Sequence, residues 1–283
     1  MLRGQSDSSE KRTGAQILQH YELEKALASQ LKSASHSERR ILYTQLYDEL
    51  FSKIPHHPQF QRKTDTEASK LEVERKFRLV KDYLKLETTF VEVGSGDCHF
   101  SFHVAGLVKK VIAVDVSPNI TRNESSLPKN FELRISDGSN IPVPDNSASV
   151  VYSNQLMEHL HPEDALVQLG EIYRCLSPEG VYICITPSRV AGPHDISKYF
   201  SPVAEGFHLH EYTNAELSKL FQRAGFSRLT SYIGGQGYYL RAPGGLVRFV
   251  EGIVGRLPDR LRTSVAGFFP VRAILGVILV ATK

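Results

Sequence analysis

The sequence is poor in cysteine, with only Cys98, Cys175 and Cys184 among its 283 residues. These show no metal-ligand spacing and are too few for a disulfide framework, so a reducing cytoplasm is the expected setting. Long apolar runs are also lacking. The longest, Ala273–Thr282, is about half of the roughly 20 residues needed to span a bilayer, and Gly276 interrupts it. The polar stretch Met1–Thr13 lacks the apolar core of a signal peptide and is expected to be a disordered tail. No excess of one charge exists: 34 Lys and Arg face 31 Asp and Glu, a formal +3 spread along the chain. That excludes the dense basic patch by which phosphates are neutralised, so no nucleic-acid partner is expected. No internal repeat is visible. The remainder is ordinary for a globular chain, at 41% hydrophobic and 23% charged. The length suits one large α/β domain with an added segment.

What is present divides the chain in two. Residues 14–85 read as a helical extension, because Leu23, Leu27 and Leu31, then Leu42, Leu46 and Leu50, recur at helical spacing. A turn at Pro55–Pro58 interrupts the helices, and a further helix is expected over about Thr66–Leu84. From residue 86 to 283, short β-rich runs alternate with helical stretches. The runs are Thr89–Val93, Val111–Asp115, Phe131–Ser136, Ser149–Ser153, Gly180–Thr186, Leu229–Ile233 and a closing Ala273–Thr282. Candidate helices lie around Ser101–Leu107, Glu163–Leu176 and Asn214–Ala224. Such alternation implies parallel strands joined by right-handed helical crossovers. The expected fold is therefore a doubly wound, Rossmann-like α/β sheet of seven mostly parallel strands with an N-terminal helical extension.

The sharpest chemical signal is Phe90-Val91-Glu92-Val93-Gly94-Ser95-Gly96-Asp97-Cys98, a strand running into a glycine-rich turn. Glycine lets a backbone approach a ligand closely, and in an open parallel sheet this turn lies at the carboxyl edge where ligands bind. The next strand ends at Asp115, about 20 residues on, where a carboxylate can accept hydrogen bonds from both ribose hydroxyls. The third ends at Ser136-Asp137-Gly138, where an acid can read an adenine amino group. The fourth ends at Ser153-Asn154-Gln155. The dinucleotide fingerprint Gly-x-Gly-x-x-Gly fails at His99, which argues against a nicotinamide dehydrogenase.

Taken together, Glu92-Val93-Gly94-Ser95-Gly96, Val114-Asp115-Val116-Ser117, Ser136-Asp137-Gly138 and Asn154-Gln155-Leu156-Met157-Glu158-His159-Leu160 resemble the class I S-adenosylmethionine-dependent methyltransferases. The group that acts on small molecules, lipids and sugars is the nearest. Leu176-Ser177-Pro178-Glu179-Gly180 and Ala224-Gly225-Phe226 resemble that family's turn before the fifth strand and its helix end before the sixth. The resemblance spans about residues 70–283 and implies S-adenosylmethionine as cofactor. It assigns Glu92, Gly94, Ser95 and Gly96 to the cofactor's amino-acid portion, and Asp115 and Val116 to the ribose. Asp137 and Gly138 would hold the adenine, and Asn154 the methionine. Two departures stand out: Cys98 replaces a frequent third glycine, and Ala148-Ser149 replaces a frequent Phe-Asp pair.

A hydroxyl acceptor profits from a base, and histidine is the natural one near neutral pH. Residues 186–212, after the fifth strand, carry His194-Asp195 and His208-Leu209-His210-Glu211 and are expected to form a lid. His208 is the expected general base, with His194 and Asp195 as its partners or as acceptor-binding groups. His159 and His161, which open a helix after the fourth strand, rank below it. The spacing of His194, Asp195, His208 and His210 matches no defensible ion site, so no metal is expected. Residues 241–270 form an insertion in which Leu246, Phe249, Val250, Ile253, Val254 and Leu257 follow helical spacing between Arg248, Glu251 and Arg256. Such a basic amphipathic stretch over 245–264 can lie on a membrane or pack on its own domain. Arg39, Arg40 and Lys53 read as a solvated face of helices that cover the site or make a homodimer contact. The expected activity is methyl transfer to a hydroxyl of a small-molecule, sugar or lipid-linked glycan acceptor, in the cytoplasm or at the inner membrane face. The rival readings are a nucleic-acid or protein methyltransferase and a non-catalytic binding protein on the same fold.

Overall fold

Short runs that are apolar on both faces, such as the four residues Val111–Val114, are what a parallel strand covered by helices on both sides requires. In the computed structural model, which describes Glu10 and residues 12–58, 66–117 and 127–283, these runs form one eight-stranded sheet. The strands are β1 (Thr89–Val93), β2 (Lys110–Asp115), β3 (Phe131–Ile135), β4 (Ala148–Asn154), β5 (Leu176–Thr186), β6 (Arg228–Gly235), β7 (Tyr238–Ala242) and β8 (Val277–Thr282). Their order is β3-β2-β1-β4-β5-β8-β6-β7, with β3 to β5 parallel and β8 antiparallel to both β5 and β6. The order reverses between β1 and β4, so the loops after those strands flank the crevice where ligands of such sheets lie.

The expectation of seven strands misses β7. Its sequence, Tyr-Tyr-Leu-Arg-Ala, follows Gly234-Gly235-Gln236-Gly237 and pairs antiparallel with β6. It is an edge strand with mostly exposed or half-buried side chains, so it lacks the apolar signature used to find the others. The closing strand is also shorter than expected. Phe269–Leu275 is helical, and β8 begins only after Gly276.

The helices are α1 (Gly14–Ser33), α2 (His36–Lys53), α3 (Thr66–Val80), α4 (His99–Ala105), α5 (Pro162–Cys175), α6 (Asn214–Arg223), α7 (Gly244–Gly255), α8 (Asp259–Gly267) and α9 (Phe269–Leu275). Capping boxes at Thr13/Gln16, Ser35/Glu38 and Thr213/Glu216 start α1, α2 and α6. On one face of the sheet, α1, α2, α5 and α6 enclose a core that includes Leu27, Leu46, Val114, Val151, Tyr182 and Phe221. On the other, α3 and α4 pack on Phe90, Val111, Tyr152 and Ile183. The insertion is not one helix. Pro258 divides it, and α7 to α9 bury Val254, Ala266 and Leu275 with Val190 of the loop after β5.

Of the expected tail, residues 1–9 and 11 lie outside the described residues. Thr13 caps α1, and Arg12 pairs with Glu10 and contacts His20 Nδ1 at 2.7 Å. The solvated face expected for Arg39 is corrected. Arg39 is 1% exposed and makes a two-pronged ion pair with Asp164 of α5, at 2.6 and 2.8 Å. Tyr43 donates to the same carboxylate at 2.7 Å. Removing one partner of such a buried pair costs about 3–5 kcal/mol, so this contact fixes α2 over the carboxyl edge of the sheet.

Candidate functional site at the carboxyl edge

The loop after β1 is shaped by its backbone. Gly94 N–H donates to the Val114 carbonyl at 2.8 Å, and Gly96 N–H to Asp115 Oδ2 at 2.9 Å. Gly96 sits at φ +55° with nothing within 4 Å of where a Cβ would stand, so this side of the turn is open to a ligand. Asp115 Oδ1 accepts from Val116 N–H at 2.8 Å and Ser117 N–H at 3.3 Å. The Asp115 carboxylate thereby ties the ends of β1 and β2 together. Cys98, where the family often has glycine, adopts the left-handed conformation itself at φ 59°. Its thiol is buried and pushed up to about 12 by that burial, which makes it a packing group rather than a nucleophile. Glu92 is buried beneath the loop, accepts from Ser101 Oγ at 2.6 Å, and is raised to about 7 by loss of solvent.

At the end of β3, Asp137 Oδ1 accepts from Ser139 N–H and Oγ at 3.0 Å each and from Asn140 N–H at 2.8 Å. Its other oxygen receives Arg40 Nε at 2.8 Å and Nη2 at 2.6 Å. Burial works against the charge, but these donors outweigh it and hold the carboxyl at about 2. Gly138 has φ +92°, and a Cβ there would stand 2.7 Å from the Tyr43 ring. Thr44 Oγ1 donates to the Val116 carbonyl at 3.1 Å. Arg40, Tyr43 and Thr44, within little more than one turn of α2, therefore face the ends of β2 and β3, a coverage that helical spacing alone does not reveal.

On the far side of the edge, β4 ends at Asn154, and Gln155 is left-handed at φ 55°. Asn154, Gln155, Ile185 and Thr186 line a cavity of about 320 Å³ together with Arg75 and Lys76 of α3. Thr186 also donates to Glu158 Oε2 at 2.8 Å, which joins the cavity to a buried group of proton acceptors. Glu158 is fully buried and raised to about 7 by that burial, and its Oε1 has no hydrogen-bond partner. His159 Nε2 lies 3.9 Å from that oxygen, and burial holds the ring down at about 3. The His208 and His159 rings meet edge to face at 4.9 Å. His208 Nδ1 bonds Glu211 Oε1 at 2.7 Å. Burial disfavours its charge, but Glu211 and the nearby Glu158 and Asp195 carboxylates outweigh that and raise it.

Of the residues named from sequence, the turn after β1, Asp115 and Asp137 line up along adjacent strand ends. His208 stands instead with Glu158 and His159. Asp195 is not bonded to His208. Its Oδ1 caps the short turn Ile196–Tyr199 through Ser197 N–H, and its Oδ2 accepts from Gly206 N–H. The His194 ring bonds the Ser188 carbonyl through Nε2, and the His194 backbone N–H donates to Glu211 Oε1 at 2.7 Å. Both residues thus hold the loop that delivers His208. His161 caps α5. The residues missed are Glu211, Thr186, Tyr47 and Arg40. Only Glu211, three positions from His208, carried a local signal.

The model of a methyltransferase domain family matches residues 91–184. A probable S-adenosylmethionine-dependent methyltransferase of Mycolicibacterium smegmatis is 29% identical over 136 residues, covering 48% of this chain and 51% of that one. The malonyl-[acyl-carrier protein] O-methyltransferase of Yersinia pestis is 31% identical over 96 residues, 34% of this chain and 35% of that one. The chain thus spans about half the length, or less, of the curated relatives it matches. Among solved structures, a SAM-dependent methyltransferase from Archaeoglobus fulgidus superposes with a TM-score of 0.52 at 17% identity, over 80% of this chain and 98% of that one. That likeness concerns the fold.

Proposed function

We propose that this chain, which belongs to the class I S-adenosylmethionine-dependent methyltransferase family, transfers a methyl group to a hydroxyl oxygen. The cofactor, when bound, supplies a methyl carbon made electrophilic by a sulfonium charge. The residues present fit it. The open face of Gly96 suits a close backbone approach, Asp115 suits the ribose, and Asp137 with Gly138 suits the adenine. Glu92, Ser95, Val116 and Asn154 complete this assignment around the same strand ends. Lys76 and Arg75, in the cavity beside Asn154, suit the carboxylate of an amino-acid tail.

The observation that carries the choice of oxygen is buried Glu158 with half-buried His159 and nearly buried His208, reached from the cavity through Thr186. As the acceptor oxygen forms its bond to the methyl carbon, its proton must leave. These groups can take that proton or stabilise the oxygen without it. His194, Asp195 and Glu211 position the loop rather than touch the acceptor. A lipid-linked acceptor is favoured by the insertion. Leu246, Phe249 and Ile253 of α7 and Phe268 and Phe269 at the start of α9 are exposed, as are Arg248, Arg256, Arg260 and Arg272, a combination suited to an anionic bilayer. None of the described helices is long and apolar enough to cross a membrane.

Calorimetric titration with S-adenosylhomocysteine, with NAD as the control ligand, tests the cofactor. Binding of the first alone is expected, and an acceptor screen on sugars and lipid-linked glycans follows from it. Absence of binding points to a non-catalytic relative. Co-sedimentation with anionic vesicles tests the surface. Phe249→Glu is expected to abolish it, and wild-type protein that stays in solution removes the membrane from this reading.

A further inference from the structure

The tautomers of His159, half-buried, and His208, nearly buried, are set by their partners. His159 Nδ1 lies 3.0 Å from the Phe207 carbonyl, which can only accept, so Nδ1 carries the hydrogen and Nε2 a lone pair. Tyr47 Oη, 2.8 Å from the same Nδ1, holds the ring from the α2 side. His208 Nδ1 donates to the Glu211 carboxylate, so in the neutral ring its Nε2 carries the second lone pair. Glu158 Oε1 supplies the third acceptor, fully buried and without a partner. One ligand atom from each of Glu158, His159 and His208 lies within 4.8 Å of the others. Three potential ligand atoms thus gather around a buried carboxylate oxygen that has no hydrogen-bond partner among the described residues, a costly arrangement that a cation between them would relieve.

We infer that Glu158, His159 and His208 hold a divalent first-row transition ion, and that the acceptor hydroxyl binds to its open positions. Two imidazole nitrogens and one carboxylate are a donor set that suits such ions, and three protein ligands leave room for a substrate oxygen. The outer partners are those of a metal site: a carboxylate behind one imidazole and a carbonyl behind the other, each fixing ring and tautomer. Bonds of about 2.0–2.2 Å require ligand atoms roughly 3–3.5 Å apart, so the 3.9 Å between His159 Nε2 and Glu158 Oε1 closes by less than an ångström. An ion there lowers the pKa of a bound hydroxyl, a different way of removing the proton from that of a free imidazole.

A second group, His20, Glu24 and His57, also gathers ligand atoms, but His20 and Glu24 are already engaged. Glu24 receives His20 Nε2 at 2.7 Å and Phe207 N–H at 2.8 Å, and the Arg12 guanidinium stands 2.7 Å from His20 Nδ1. A fixed cation beside the ring opposes a second one.

This inference rests on the methyl-transfer reading only for the ion's purpose, so its test reads the two separately. Chelator-stripped full-length protein is titrated with Zn²⁺ by calorimetry, and the same samples with S-adenosylhomocysteine. One ion per chain is expected. Glu158→Gln and His208→Ala each weaken uptake by about a hundredfold or more and Glu211→Gln by about tenfold, while His57→Ala leaves it unchanged. The visible spectrum of Co²⁺ bound to wild-type protein gives a reading that needs no variant, and imidazole ligation is expected to appear in it. No uptake, uptake indifferent to Glu158→Gln and His208→Ala, or uptake lost in His57→Ala overturns the site. Zinc uptake with the expected losses but no S-adenosylhomocysteine binding keeps the ion and sinks the methyl-transfer reading alone.

Discussion

The two halves of the sheet's carboxyl edge are built from different materials. Along β1, β2 and β3 the candidate cofactor site is backbone and short turns: the Gly96 amide on Asp115, and the Ser139 and Asn140 amides on Asp137. Along β4 and β5 it is side chains, brought together from Glu158-His159 after one strand and His208-Glu211 after the next. A backbone site depends on conformations that a few neighbouring residues dictate. A side-chain site depends on a long loop arriving in register. The first half should therefore answer to mutation through affinity, and the second through turnover.

The largest expected effect lies in the second half. His208→Ala removes a group from the acceptor side, and turnover at saturating cofactor should fall by about 10²–10⁴-fold. S-adenosylhomocysteine affinity should stay near wild type. A variant that turns over normally would unseat His208, and one that loses cofactor affinity would show that the two halves are a single site. Asp115→Ala is the converse. It removes a charged acceptor from the turn, and cofactor binding should weaken by about 1.5–3 kcal/mol, or ten- to over a hundredfold in Kd. Turnover should recover at high cofactor concentration. Unchanged affinity by calorimetry would remove Asp115 from the ribose.

The same division explains what the sequence discloses. Val93-Gly94-Ser95-Gly96, Asp115 and Asp137 each close a strand within a few residues, so their placement follows once the strands are recognised. The helices that cover them do not follow in that way. Arg39 and Arg40 are adjacent charges on an amphipathic helix, which read as a solvated face, yet one is buried on Asp164 and the other pairs with Asp137. Only contacts across about a hundred residues distinguish the two positions. His194-Asp195 looks like a dyad because the two are neighbours in sequence. The turn at Ile196–Tyr199 spends the aspartate on backbone amides instead. β7 escapes notice because an edge strand buries too little to show alternation.

Glu92 tests whether the cofactor half carries a cost in stability. A buried carboxyl raised from 4.5 to about 7 holds a proton more firmly in the folded chain than in the unfolded one. Its contribution is fully present below about 4.5 and is lost as pH rises through about 7. Glu92→Gln keeps an acceptor for Ser101 but never ionises. The variant should match wild type near pH 5 and exceed it by roughly 1–3 kcal/mol at pH 8, as read by urea unfolding. Parallel pH profiles for the two proteins would mean that Glu92 ionises in the fold as freely as in water.

The smallest expected effect bears on the seam between α2 and the cofactor half. Arg40 closes on Asp137 from a half-exposed position, its side chain 51% accessible, and exposed pairs are worth about 0–1 kcal/mol. Asp137 is independently held by three donors on its other oxygen, so its orientation does not depend on the arginine. Arg40→Ala should therefore change S-adenosylhomocysteine affinity by less than about fivefold. It should also flatten the salt dependence of binding, since the screened ion pair no longer competes for the carboxylate that is to meet the adenine. A loss beyond tenfold would make α2 part of the cofactor site rather than its cover, and the boundary between backbone-built and side-chain-built halves would have to be redrawn to include it.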